Sequence, residues 1–190
     1  MEPDVLPCYL VCDVSFSMSD HIDEVNAGMR EFRGVVHADR RATAQIRLCV
    51  VAFAESPLVV RPLQPALDPA ELIRPRQESG SDFGSAFTLL RTVIERDVRA
   101  LKERGLRVRR PVLFFVSDGR PTDPAWPAAL ARLTATEPCP EMIAFGLGAV
   151  DQPTLDRIGT SRLFLGRDGV RLGIALASSV ARTVSRQELV

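Results

Sequence analysis

The chain has little of what nucleic-acid and membrane proteins depend on. Its 190 residues include one tryptophan and one tyrosine, and Lys102 is the single lysine among 24 basic residues. Aromatics make up 6% of the chain, too few to supply stacking platforms for bases. The 24 basic residues are balanced by 24 acidic ones, without the basic excess of a dedicated nucleic-acid binder. The run Arg104, Arg107, Arg109 and Arg110 has no interleaved aromatic and reads as a solvated loop at the bottom of a sheet. No apolar stretch approaches the roughly 18–20 residues needed to span a bilayer. Met1 to Pro7 carries two acids and lacks the basic region of a signal peptide, so the expected location is cytoplasmic, with no membrane and no nucleic-acid partner. Cys8, Cys12, Cys49 and Cys139 form no CxxC pair, and only His21 and His37 could add nitrogen ligands. Buried free thiols follow, and a structural zinc site does not.

With 46% hydrophobic and 25% charged residues, the chain is long enough to fold as one compact domain over 1–190. Apolar runs at Cys8 to Val14, Ile46 to Phe53, Val112 to Val116 and Met142 to Leu147 predict buried strands. Pro57 to Leu63 predicts an edge strand paired antiparallel with its predecessor, and Leu163 to Leu165 a small last strand. Ile22, Val25, Met29, Phe32 and Val36 form one helical stripe, capped by Ser19 or Asp20. A second long helix runs from Gly84 and is ended by Gly105. Shorter helices are expected over 125–136 and 153–158, and a terminal one over 170–187. Alternating strands and helices imply a Rossmann-like three-layer α/β/α fold. Its central sheet is mostly parallel, with one antiparallel edge strand and helices on both faces.

Ligands of such sheets bind at the carboxyl ends of the strands. The first strand ends in Asp13-Val14-Ser15-Phe16-Ser17, and the fourth in Ser117-Asp118-Gly119-Arg120-Pro121-Thr122-Asp123. The loop before the second long helix holds Gly80-Ser81-Asp82-Phe83-Gly84. Together they offer two carboxylates, Asp13 and Asp118, and three hydroxyls, Ser15, Ser17 and Ser81. These oxygens suit a hard cation: magnesium accepts a few fixed oxygens and keeps several waters, and manganese fits the same set. Neutral hydroxyls leave such a metal electron-poor and open to an acid from elsewhere. Asp82 and Asp123 read as second-shell or helix-capping residues, and His21 as a helix-surface histidine. Trp126 reads as packing, with a partner rim as the alternative.

DxSxS after strand one and SDGxPTD after a later strand resemble the metal-ion-dependent adhesion site (MIDAS) of von Willebrand factor A (VWA) domains. The resemblance runs from about Leu6 to Ser185 and includes the FGLG strand end at Phe145 to Gly148. It implies a metal held by Asp13, Ser15, Ser17, Ser81 and Asp118, with serine at position 81 where the family usually has threonine. It also implies Mg2+, or Mn2+ or Ca2+, as cofactor, and a protein partner whose glutamate or aspartate completes the coordination. A terminal helix that shifts on ligand binding is a further expectation from the resemblance. Within the family the chain is most similar to small bacterial TerY-like members linked to tellurium resistance, which implies a phosphatase or kinase of a stress-response module as partner.

Enzymatic readings lack their residues. A haloacid-dehalogenase-type phosphohydrolase needs DxDxT, and Ser15 stands where its second aspartate would be. There is no GxxxxGK[ST] around Lys102, no glycine in the first strand's turn for a dinucleotide, and no GxSxG. The expectation is a binding module and no enzyme. The alternatives are a metal-dependent phosphohydrolase on a Rossmann-like fold, or a structural domain with a vestigial metal site.

Overall fold

The computed structural model of the protein describes residues 4–67 and 73–185. Seven strands form one sheet: β1 (Asp4–Asp13), β2 (Ile46–Phe53), β3 (Pro57–Pro65), β4 (Arg107–Val108), β5 (Val112–Ser117), β6 (Glu141–Gly146) and β7 (Arg162–Leu165). The order across the sheet is β3-β2-β1-β5-β6-β7, with β4 paired to the start of β1. All pairings are parallel except β2 with β3, the antiparallel edge hairpin that the short 54–56 link predicts. The described α-helices are α1 (Ile22–Ala38), α2 (Arg40–Gln45), α3 (Phe83–Glu103), α4 (Trp126–Thr134), α5 (Gln152–Ile158) and α6 (Leu172–Ser185), with short 3-10 segments at Phe16–His21 and Gly166–Asp168.

The period-two alternation of β1 divides the interior into two cores. Leu6, Cys8, Leu10 and Cys12 face α1 and α6, where Phe32, Met29, Leu172 and Leu176 lie. Val5, Tyr9 and Val11 face α3, α4 and α5, against Phe83, Phe87, Leu133 and Leu155. The three-layer expectation holds, and so do the free thiols: Cys8, Cys12 and Cys49 are buried and Cys139 is half-buried. Burial pushes the Cys49 thiol up to about 12, so this sulfur stays protonated.

Several local expectations are corrected. β1 starts at Asp4, four residues earlier than its apolar run, because Val5 and Leu6 already pack into the two cores. A single 3-10 turn, Phe16–His21, leads straight into α1, so neither Ser19 nor Asp20 caps that helix. α3 ends as expected: Gly105 adopts φ +73°, with Gly105 N–H on Lys102 O at 2.9 Å and Leu106 N–H on Leu101 O at 3.2 Å. The arginine run is at the bottom of the sheet but is no solvated loop. Arg107 Nε and Arg109 Nη2 donate to the two oxygens of Asp4 at 2.7 and 2.8 Å, and Arg109 is 7% exposed. Asp4 lies more than a hundred residues away in sequence, so only the β1–β4 pairing shows what neutralises these arginines. Pro69 and the last two residues expected in the terminal helix lie outside the described residues.

The sheet order reverses between β1 and β5. From β1 the chain builds outward through β2 and β3, then returns to the other side of β1 and builds outward through β6 and β7. Crevices outside strand ends form at such switch points, and this one lies between Asp13 and Ser117-Asp118.

Candidate metal centre

Asp13 ends β1 and is 0% exposed. Its side chain lies on the α3 face, in phase with Tyr9 and Val11. The backbone beyond it is fixed on both sides: Val14 N–H donates to Phe53 O at 2.8 Å, and Arg76 N–H donates to Val14 O at 2.8 Å. Met18, fully buried, pins the following turn to the α1 core. Ser15 N–H donates to Asp13 Oδ1 at 3.0 Å, and the Ser15 and Ser17 hydroxyls stand 3.3 Å apart.

The other two loops close on the same carboxylate. Ser81 Oγ donates to Asp13 Oδ1 at 3.3 Å, and Ser117 Oγ donates to Asp13 Oδ2 at 2.8 Å. Ser81 and Thr122 tie their loops together, Ser81 N–H to Thr122 Oγ1 and Thr122 N–H to Ser81 O, both at 3.0 Å. Asp118 is buried, its Oδ1 accepts from Arg120 N–H at 3.2 Å, and its backbone carbonyl accepts from Asp151 N–H at 2.7 Å. The structure therefore gathers Asp13, Ser15, Ser17 and Ser81 into one hydrogen-bonded group. Asp118 stands next to Ser117 and acts on Asp13 through its charge.

The electrostatics of that group are unbalanced. Burial pushes the Asp13 carboxyl above the usual carboxylate range and the Asp118 charge adds to this, while hydrogen bonds from Ser15 and Ser117 pull it back. Among the described residues, every hydrogen-bond donor to Asp13 is neutral. Two carboxylates, one of them fully buried with neutral donors, and three hydroxyls leave two negative charges without a cationic hydrogen-bond donor among the described residues, and a divalent cation fits that deficit. Among the described residues, no three His, Cys, Asp or Glu side chains gather to hold a metal by themselves. The donor set that fits is thus the mixed one, with hydroxyls from Ser15, Ser17 and Ser81.

The surrounding residues have structural duties. Asp82 caps α3, accepting from Ser85 N–H at 2.7 Å. Asp123 also serves α3, not the α4 start beside it: Phe83 N–H and Gly84 N–H donate to its two oxygens at 2.9 and 3.2 Å. A Cβ on Gly84 would come within 2.6 Å of Asp123 Oδ2, so glycine permits this close latch. Burial, then the Asp82 charge, pushes the Asp123 carboxyl up. Trp126 is 6% exposed, packs edge-on to Phe83 with centroids 6.2 Å apart and carries the Arg157 guanidinium 4.5 Å from its ring centroid. It is core, not rim. His21 is half-exposed, and its ring fills the space beside Gly148.

Sequence reasoning gave no role to Ser117 or Thr122, although both lie in the SDGRPTD run. The signal was available: Leu113 and Phe115 face the α3 core, and two further steps of strand alternation put Ser117 on the face of Asp13.

No protein-family model matches the chain, and no curated protein sequence matches it. Solved structures do. A von Willebrand factor type A structure from Catenulispora acidiphila superposes with a TM-score of 0.65 at 15% identity, over 95% of this chain and 42% of its own. The chain has the VWA fold. Two further structures share that fold. Mussel proximal thread matrix protein 1, whose MIDAS motif holds zinc, gives a TM-score of 0.61 at 14% identity, covering 94% of this chain and 46% of the mussel protein. The manganese-loaded TRAP protein of Plasmodium vivax gives 0.60 at 14%, covering 93% and 73%. The VWA fold of this chain thus spans about half of the first two proteins or less.

Proposed function

We propose that the chain is a divalent-metal-dependent protein-interaction module whose MIDAS-type site accepts an acidic side chain from a partner. The observation that carries this is Asp13, fully buried at the switch point with only neutral hydrogen-bond donors and with Asp118 beside it. Asp13, Ser15, Ser17, Ser81 and Asp118 would hold the ion. Once bound, the cation supplies a Lewis-acidic position that a partner carboxylate can occupy. Ser117 and Thr122 are positioning residues, the first orienting Asp13 and the second fixing the Ser81 loop. Asp82 and Asp123 secure the start of α3 behind the site. The Ser81 and Ser117 hydroxyls donate to the Asp13 carboxylate that would hold the ion, and among the described residues neither His21 nor His37 hydrogen-bonds to the serines of this group, which supports binding over catalysis.

Magnesium is the proposed ion, with manganese and calcium as competitors for the same oxygens. The finer proposal is a cytoplasmic, TerY-like role in a bacterial stress-response or tellurium-resistance assembly, with a phosphatase or kinase as partner. It rests on the SDGRPTD resemblance. No helix among the described residues is long and apolar enough to cross a membrane.

Thermal unfolding with and without magnesium, on the wild type and on Asp13→Ala, tests the metal reading. For a millimolar affinity, about 10 mM magnesium adds roughly 1.4 kcal/mol, a rise of about 3 to 5 °C for a domain of this size. A rise in the wild type that vanishes in Asp13→Ala supports the site. No rise with magnesium, manganese or calcium would make the loop a structural remnant.

A further inference from the structure

Phe16 lies between Ser15 and Ser17, and its side chain is 68% exposed. The other eight of the nine phenylalanines are buried or half-buried. The fold does not require a phenyl ring here. The contribution of Phe16 to the loop is its backbone N–H, which donates to Glu78 O at 2.9 Å, and any residue other than proline supplies that bond. Its immediate neighbours in the chain, Ser15 and Ser17, are two of the residues that would hold the ion.

The other carboxylate loop presents the opposite chemistry. Arg120 follows Asp118 by two residues, is exposed, and is anchored at both ends of its reach. Its N–H donates to Asp118 Oδ1 at 3.2 Å and its Nε donates to Ala149 O at 3.0 Å. Its two terminal nitrogens make no hydrogen bond among the described residues. The guanidinium, two residues along the chain from Asp118, is therefore exposed and tethered to Ala149, with its planar fork available to a carboxylate.

Resting on the metal reading above, we propose that Phe16 and Arg120 select the partner. The site takes a peptide segment whose metal-binding acid is flanked by an apolar side chain and by a second acid. The apolar residue covers Phe16 and removes its ring from water. The second acid engages Arg120. A carboxylate with polar neighbours would bind the ion alone and gain neither contact.

The test is selection of displayed peptides, with one fixed glutamate and randomised neighbours, on the full chain in magnesium with EDTA elution. A manganese titration of the wild type, followed by electron paramagnetic resonance, runs beside it. The wild type is expected to enrich apolar residues on one flank of the glutamate and Asp or Glu on the other. Phe16→Ser loses the apolar enrichment and Arg120→Ala the acidic one, while the glutamate requirement and EDTA elution persist in both. For a synthetic peptide from the selection, replacing its apolar residue by serine weakens binding to the wild type about fivefold to tenfold. The same replacement changes binding to Phe16→Ser by a factor near one.

Manganese bound with no bias at the flanking positions, or a bias unchanged in Phe16→Ser, overturns this proposal and leaves the metal site standing. No manganese bound removes both. Self-association in sedimentation that disappears in Phe16→Ser assigns the ring to an interface between copies of the chain and overturns the peptide proposal.

Discussion

Strand β1 carries an aspartate at each end, and the two are treated in opposite ways. Asp4 lies between Arg107 and Arg109, with hydrogen bonds of 2.7 and 2.8 Å. Although desolvation pushes its carboxyl up, the hydrogen bonds and charges of the two arginines hold it below the usual carboxylate range. Asp13, nine residues later, receives only hydroxyl and amide donors among the described residues, and burial pushes its carboxyl up. The bottom of the sheet thus carries its own counter-ions, and the top leaves a buried negative charge uncompensated. A purely structural acid needs the first arrangement. The second is stable only with a cation or a proton, and this is the ground for the metal site proposed at the top of the sheet.

Removing each acid in EDTA breaks the comparison most directly. Asp4→Ala leaves Arg109 buried without its anion and should lower stability by about 2–3 kcal/mol in urea unfolding. Asp13→Asn keeps the size and most of the hydrogen bonding and removes a charge that nothing neutralises. It should lose nothing at pH 7 and gain up to about 1 kcal/mol. Equal losses in the two variants would mean that Asp13 has a counter-ion of its own and that the top needs no metal.

The next effect concerns what holds the top together without charge pairing. The α3 start is fastened to the Asp123 carboxylate by two backbone N–H groups, and Gly84 makes room for it. Gly84→Ala should cost about 1–2 kcal/mol by forcing Asp123 away. Metal affinity should fall as well, because the Ser81 loop precedes that helix directly. Lost stability with unchanged affinity would separate the latch from the site.

The two poles were not equally legible in the sequence. The top was readable because its residues lie in short runs after apolar strands: Asp13, Ser15 and Ser17 in one and Asp118 in another, although the part played by Ser117 in that second run was missed. The switch-point rule brings those runs together without coordinates. Ser81 was found in a loop that opens a helix. The bottom was not readable, since Asp4 precedes the first recognisable apolar run and its partners come a hundred residues later, in and just after a two-residue strand. Asp123 reads as a second-shell or helix-capping residue, but which helix it serves is hidden for a related reason. Its neighbour in sequence is α4, while its hydrogen bonds go to α3, a choice made by packing around Phe83 and Trp126. Local patterns locate groups within a few residues, and long-range pairing decides which of them meet.

Acid titration in EDTA sharpens the comparison further. The Asp13 carboxyl is raised in the folded state, so its contribution to stability is complete below the unfolded value of 3.8 and is lost as pH rises through the folded value. Asp123, also raised, acts in the same direction. Asp4 is lowered, so its contribution is present above 3.8 and is lost as pH falls through its folded value. Stability should therefore rise on first acidification and fall only at lower pH, with a slope of at most about 1.4 kcal/mol per pH unit for each group. Asp13→Asn should flatten the rise without touching the acid limb. Saturating magnesium should do the same by keeping Asp13 ionised. A wild type that only loses stability on acidification would contradict the unbalanced top.

The smallest effect concerns Ser81. Its hydroxyl, 3.3 Å from Asp13 Oδ1, is held by one hydrogen bond and can leave for another rotamer, whereas a threonine side chain is stiffer at χ1. Ser81→Thr should keep the hydroxyl in place more of the time and raise magnesium affinity by about twofold to threefold, a few tenths of a kcal/mol. Isothermal titration of the two proteins reads this directly. The added methyl must fit a buried position between the α3 start and the Thr122 loop, so a fall in affinity would carry a different lesson. It would mean that the serine is matched to a tighter loop here, and that its lost rigidity is supplied by the two hydrogen bonds that tie the Ser81 backbone to Thr122.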